Sequence, residues 1–176
     1  VLGNFMGEPF YSELRTRQQL GYIVAANAGN EESTHFAYFI VQSGEYPADE
    51  VEKRADDFIV KLPLMLGNLP AEAWDTIVGG VRAELEEKDK AVADRAKRLF
   101  SLAYDRGGDW GRREETLAAL DRLTKERTGE ILDHALGLST RQMRTFLGFA
   151  RQHESKSAPA TSFTDRPAWK GKRDYK

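Results

Sequence analysis

The sequence contains no cysteine, which excludes disulfides, thiolate metal sites and a cysteine nucleophile, though it says nothing firm about compartment. No apolar run approaches the ~18–20 residues needed to cross a bilayer. Histidine is scarce: His35, His134 and His153 are too far apart for a pair at i, i+4. His153-Glu154 is followed by Ser155-Lys156-Ser157, so neither H-E-x-x-H nor H-x-x-E-H is present. There is no G-x-S-x-G, and the doublets Gly79-Gly80 and Gly107-Gly108 lack the Lys-Ser/Thr of a phosphate loop. Excess charge is missing too. A formal net charge of -2 gives no electrostatic reason to expect nucleic acid or an anionic membrane as partner. Val1 to Met6 lacks the basic region and apolar core of a signal peptide. It also lacks an initiator Met and begins in what reads as structure, so the expectation is a piece of a longer protein.

What remains is a chain of 176 residues, 40% hydrophobic and 31% charged, enough for one substantial domain with a tail. Leu2, Phe5, Met6, Phe10 and Leu14 fall near helical spacing, which predicts a helix over Val1–Gln19 bent at or near Pro9. Gly21–Ala28 reads as a strand, Asn27–Glu32 as turn-rich, and His35–Ser43 as the clearest strand, apolar on both faces. A short polar loop between the two makes an antiparallel hairpin the natural pairing. Pro47 opens a helix whose stripe runs to Leu66 with a bend at Pro63. Pro70 opens a longer one, carried by Trp74, Ile77, Val78, Val81, Leu85, Val92, Leu99 and Phe100, with Glu84–Lys90 as its polar face. After a break at 105–109 come helices over Arg112–Leu123 and Lys125–Leu136, the second capped by Thr124, then a last strand over Arg144–Ala150. The fold class expected is α+β: helices on a small antiparallel or mixed sheet, thin enough to suggest strands missing at its N-terminal side. The division expected is a domain over 1–153 and a basic tail over 154–176, mobile or serving as an interdomain strap.

The stretch with chemical content is Leu14-Arg15-Thr16-Arg17-Gln18-Gln19-Leu20-Gly21-Tyr22-Ile23-Val24. It reads as a helix end, a reversal assisted by Gly21, and the start of a strand. Tyr11 and Arg15 are four apart and share a helix face. A tight return would set the Tyr22 hydroxyl beside the Arg15 guanidinium, two donors for a carbonyl or oxyanion, with Tyr11 as an apolar wall. The competing reading is a core tyrosine and a surface arginine.

Tyr11-x-x-Leu14-Arg15-Thr16-x-Gln18-Gln19-Leu20-Gly21-Tyr22-Ile23-Val24 resembles the signature of the last domain of the pitrilysin/insulinase family of zinc metallopeptidases. The similarity in element order extends over Val1–Arg151, with this block its specific part. The resemblance implies a clamshell of two halves, each of two related α+β domains. The N-terminal half would hold zinc through H-x-x-E-H and a distant Glu, and the C-terminal half would close over it. By the same resemblance Arg15 and Tyr22 are catalytic, reaching the active site of the opposite half, and Tyr11 lines the substrate pocket. The cofactor implied is zinc, with no ligand for it in this chain. The partners implied are the N-terminal zinc-binding half and a peptide substrate. Alone, the chain is not expected to hydrolyse peptides. Two alternatives stand beside this: a non-catalytic family member acting as a partner or structural subunit, and a helical interaction module using Trp74–Tyr104. The compartment stays open, bacterial periplasm and cytoplasm both being compatible.

Overall fold

Phe10 marks the centre of the core. It is fully buried, with the Phe39 ring 5.2 Å away and the Phe58 ring 6.0 Å away, so it joins the first helix, the hairpin and the second helix. The fold is a computed structural model describing residues 1–31 and 34–153. It is α+β, with helices packed on a small antiparallel sheet. The predicted tail over 154–176 lies outside the described residues.

Helix α1 (Leu2–Tyr11) buries Phe5, Met6 and Phe10 against strand β1 (Ile23–Glu31). Pro9 lacks an N–H, so the ladder is one bond short there. Beyond it the chain widens into a π-helical segment over Ser12–Arg17 in place of the regular helix expected to Gln19. β1 pairs antiparallel with β2 (Thr34–Gln42), in a register running from Ile23 opposite Gln42 to Glu31 opposite Thr34. The hairpin is as expected, but β1 continues through Asn27–Glu31, which the sequence reading assigned to a turn. Cross-strand pairing overrides the turn preference of Asn and Gly there.

Four further expectations are corrected. Apolar residues on both faces of β2 suggested cover on at least part of each side. Phe39 and Val41 do pack on the core, whereas Phe36, Tyr38 and Ile40 stay exposed. The stripe across Pro63 is two helices, α2 (Ala48–Ile59) and α3 (Leu62–Gly67), with Pro63 in the first turn of α3, where its missing donor costs nothing. The long helix after Pro70 is also two, α4 (Ala71–Glu86) and α5 (Val92–Tyr104); the charged run read as a polar face is the link between them. Of its stripe only Trp74 is buried, and Val92 and Phe100 face solvent. Finally, 144–150 is irregular and not a strand, leaving a sheet of two strands among the described residues. Residues 144–150 lie across a groove of about 1280 Å³ from β2 without pairing to it, so the ladder hydrogen bonds that define a strand are not made.

The remaining helices are α6 (Arg112–Asp121) and α7 (Lys125–Leu136). Thr124 caps α7 as expected, its side chain accepting from the Arg127 N–H. α7 packs on α3, where the Lys125 ammonium donates to the Gly67 and Leu69 carbonyls at 3.2 and 2.9 Å. Arg141 reaches back to Asp56 of α2 through two hydrogen bonds, one at 3.0 Å. Within α1–α7 and the hairpin no helix is long and apolar enough to cross a membrane.

Gly21 has a role different from the one expected. Its φ is not positive, so it does not turn the chain. A Cβ there would stand 2.1 Å from the Gln42 carbonyl oxygen, which also accepts from the Tyr22 N–H at 3.0 Å. Glycine admits the end of β2 against the start of β1. Gly21→Ala is expected to force these backbones apart and cost about 1–3 kcal/mol, as overpacked sites do. Urea unfolding checks this, and an unchanged midpoint would refute it.

Candidate functional site

The site is built where the π-helical segment meets β1. Leu14 is fully buried and fixes the segment to the core, so its neighbour Arg15 is held at the surface, half-buried. The segment ends through Gln18 N–H to the Glu13 carbonyl and Leu20 N–H to the Leu14 carbonyl, both 2.9 Å. Between those donors Gln19 adopts φ 52, the one positive φ at a residue other than glycine in the described chain. This is the left-handed stop that helices commonly take at their C-terminal ends, usually with Gly or Asn. For a glutamine the conformation costs about 1–3 kcal/mol.

Arg15 and Tyr22 are brought together across this stop. The Arg15 Cζ lies 5.5 Å from the Tyr22 ring centroid, over its face, a cation–π contact. The sequence reading set the guanidinium beside the hydroxyl; the structure sets it against the ring. Tyr22 is 83% exposed, so it is not a core tyrosine. Its ring is steadied by the cation while its hydroxyl remains open to solvent. Tyr11 is also exposed. With Arg15, Thr16, Gln19 and Glu45 it lines a shallow depression of about 460 Å³.

The other cation of the segment is already engaged. Glu13 accepts from Arg17 and, at 2.7 Å, from the Gln18 side chain. The bond from Arg17 is the main cause, and with the bond from Gln18 and the charges of Arg17 and Lys61 it outweighs desolvation and holds the Glu13 carboxyl below the ordinary carboxylate value. Arg15 has no such carboxylate partner among the described residues, so its donors are available to a ligand. A depressed pKa means the Glu13 contribution is full above the unfolded value of 4.5 and is lost as pH falls through the lower folded value. The Arg17 and Gln18 side-chain NMR signals are therefore expected to hold constant from neutrality to about that value and to shift only below it. A transition centred above it would refute the linkage.

Thr16, Gln19 and Glu45 were not singled out from sequence. Thr16 and Gln19 sit inside the block, but its helical reading gave Gln19 no special backbone. Glu45 lies beyond β2, where only the hairpin brings it close. Metal is a separate matter. No group of three or more His, Asp or Glu among the described residues could hold an ion, and the depression offers a guanidinium, hydroxyls and an amide with a single carboxylate. The described residues do not form a zinc site.

Against known proteins, the model of the family described as PQQ synthase PqqF-like, C-terminal lobe domain 4, matches residues 1–100. The chain belongs to this family. It is thereby a C-terminal domain of the pitrilysin/insulinase peptidases, as the block suggested. The domain is 32% identical over 99 residues to a nardilysin-like protein of Arabidopsis thaliana, covering 56% of this chain and 10% of that protein. It is 26% identical over 121 residues to the insulin-degrading enzyme of Homo sapiens, covering 69% and 12%. In fold it resembles the crystal structure of pitrilysin with a TM-score of 0.68 and 22% identity, covering 76% of this chain and 14% of that one. The domain thus spans about a tenth to a seventh of the length of these proteins.

Proposed function

We propose that this domain is the substrate-holding part of a zinc-dependent peptidase whose metal ligands lie outside residues 1–153. Arg15 and the Tyr22 hydroxyl donate hydrogen bonds to a peptide carbonyl and to the negative charge that grows on its oxygen during cleavage. Tyr11 forms the adjoining wall of the substrate channel. Support comes from one observation above others: an unengaged guanidinium, half-buried and braced on the face of an exposed tyrosine, within a domain of a peptidase family. Donors held before charge develops cost no reorganisation when it does, which is the arrangement that stabilises oxyanions. Arg17, four residues before Gly21 and 76% exposed at its side chain, is tied to Glu13 and takes no part.

The partner this requires is the zinc-binding half of the same protein, and the substrate is a peptide. Arg15→Ala and Tyr22→Phe in the full-length protein test the reading through kcat/KM on an internally quenched fluorogenic peptide. Wild-type values in both variants would overturn it, and a full-length wild-type protein without any activity on peptides would favour a non-catalytic subunit.

A further inference from the structure

Gln19 stands in a conformation that another residue would hold more easily. At the left-handed stop of a helix, glycine carries no steric penalty and asparagine little, yet a glutamine with φ 52 occupies it. Nothing in its packing repays this. Its side chain is exposed and makes no hydrogen bond or ion pair within the described residues, while its backbone does no more than hand the chain from Gln18 to Leu20. That side chain instead lines the depression with Tyr11, Arg15, Thr16 and Glu45.

Resting on the peptide-holding function above, we infer that Gln19 is a further substrate-binding residue, whose side-chain amide pairs with the main chain of the bound peptide. Arg15 offers donors alone, so it can serve a carbonyl but not an N–H. A primary amide offers an acceptor and two donors on one plane, and a peptide bond presents the complementary donor and acceptor. The hydroxyls of Thr16 and Tyr11 donate and accept through a single oxygen, whereas Gln19 offers a separate acceptor and donors that can engage both main-chain groups at once without charge. Its recognition is blind to the peptide's side chains. The left-handed backbone directs it to the same side as Arg15, four residues earlier.

The test exploits opposite orderings. If only the backbone turn matters, fitness follows left-handed preference: Gly, then Asn, then Gln. If the side-chain amide matters, the order reverses. Gln19→Gly and Gln19→Asn in the full-length protein are assayed with the fluorogenic peptide alongside Arg15→Ala. The expected result for Gln19→Gly is a kcat/KM lowered about tenfold or more, the loss of the amide's two neutral hydrogen bonds, carried by KM with kcat little changed. Its thermal midpoint should equal or exceed wild type, and Gln19→Asn should fall between the two in activity. Wild-type kcat/KM in Gln19→Gly, or a loss matched by a lowered thermal midpoint, overturns the inference. With Arg15→Ala impaired in the same preparation, only the assignment of Gln19 falls. With Arg15→Ala also at wild type, the peptide-holding function falls with it.

Discussion

Arg15→Ala in the full-length protein is expected to lower kcat/KM for a peptide by about 10²–10³, the usual consequence of removing one preorganised donor to a developing oxyanion. Tyr22→Phe should lose a comparable factor, and the structure makes the pair informative. Phenylalanine keeps the ring, and with it the surface against which the Arg15 guanidinium rests at 5.5 Å. Any loss in Tyr22→Phe is therefore assigned to the hydroxyl and not to a displaced arginine. Arg15→Lys completes the series. It keeps the charge but replaces a planar fork by a point charge that stacks poorly on a ring, so it should recover only part of the activity. Thermal midpoints should stay near wild type, because the anchor of this segment is Leu14, which none of the three substitutions touches. A lysine variant as active as wild type would mean that charge alone is used and that the orientation set by the ring is irrelevant.

The largest loss of stability is expected at Phe10. Its ring is fully buried and touches Phe39 from β2 and Phe58 from α2, so one side chain carries the contact of three elements. Phe10→Ala should cost about 3–5 kcal/mol, the range for an aromatic removed from a core that cannot collapse around the gap. Phe10→Leu fills most of the space and should lose roughly half as much. Urea unfolding, with the slope compared between variants, measures both. A loss below about 1 kcal/mol for alanine would show that the three elements do not depend on this ring.

The sequence showed most of this fold wherever one local rule held without competition. α7 and its Thr124 cap follow from apolar spacing and a hydroxyl at the right place. The hairpin follows from two strand-like runs and a short polar link. Errors arose where tertiary context decided. Asn27–Glu31 is poor strand material by composition, yet β2 supplies a ladder that holds it extended. Residues 144–150 have the composition of a strand, yet they face β2 across a groove without pairing to it. The stripe from Trp74 to Phe100 kept its period across a break, since periodicity does not register the loss of a few backbone hydrogen bonds.

At the site, residue identity was readable and backbone state was not. Arg15, Tyr22 and Tyr11 could be named from the block, and their closeness argued from a compact return. The π widening and the left-handed Gln19 have no compositional mark, because neither residue type prefers them. The reversal was attributed to Gly21 on general grounds. The glycine is there because the Gln42 carbonyl approaches too closely for any side chain.

The π-helical segment also bears on how this stretch can change in length. A wider turn advances the chain by fewer degrees per residue than the ~100° of an α-helix, so it takes up an extra residue without rotating what lies on either side. Removing one residue between Ser12 and Gln18 would therefore tighten the turn to an ordinary helix and leave Phe5, Met6 and Phe10 facing the hairpin. What it would change is the surface of the segment, where Arg15 and Thr16 line the depression. The extra residue thus belongs to the site and not to the core.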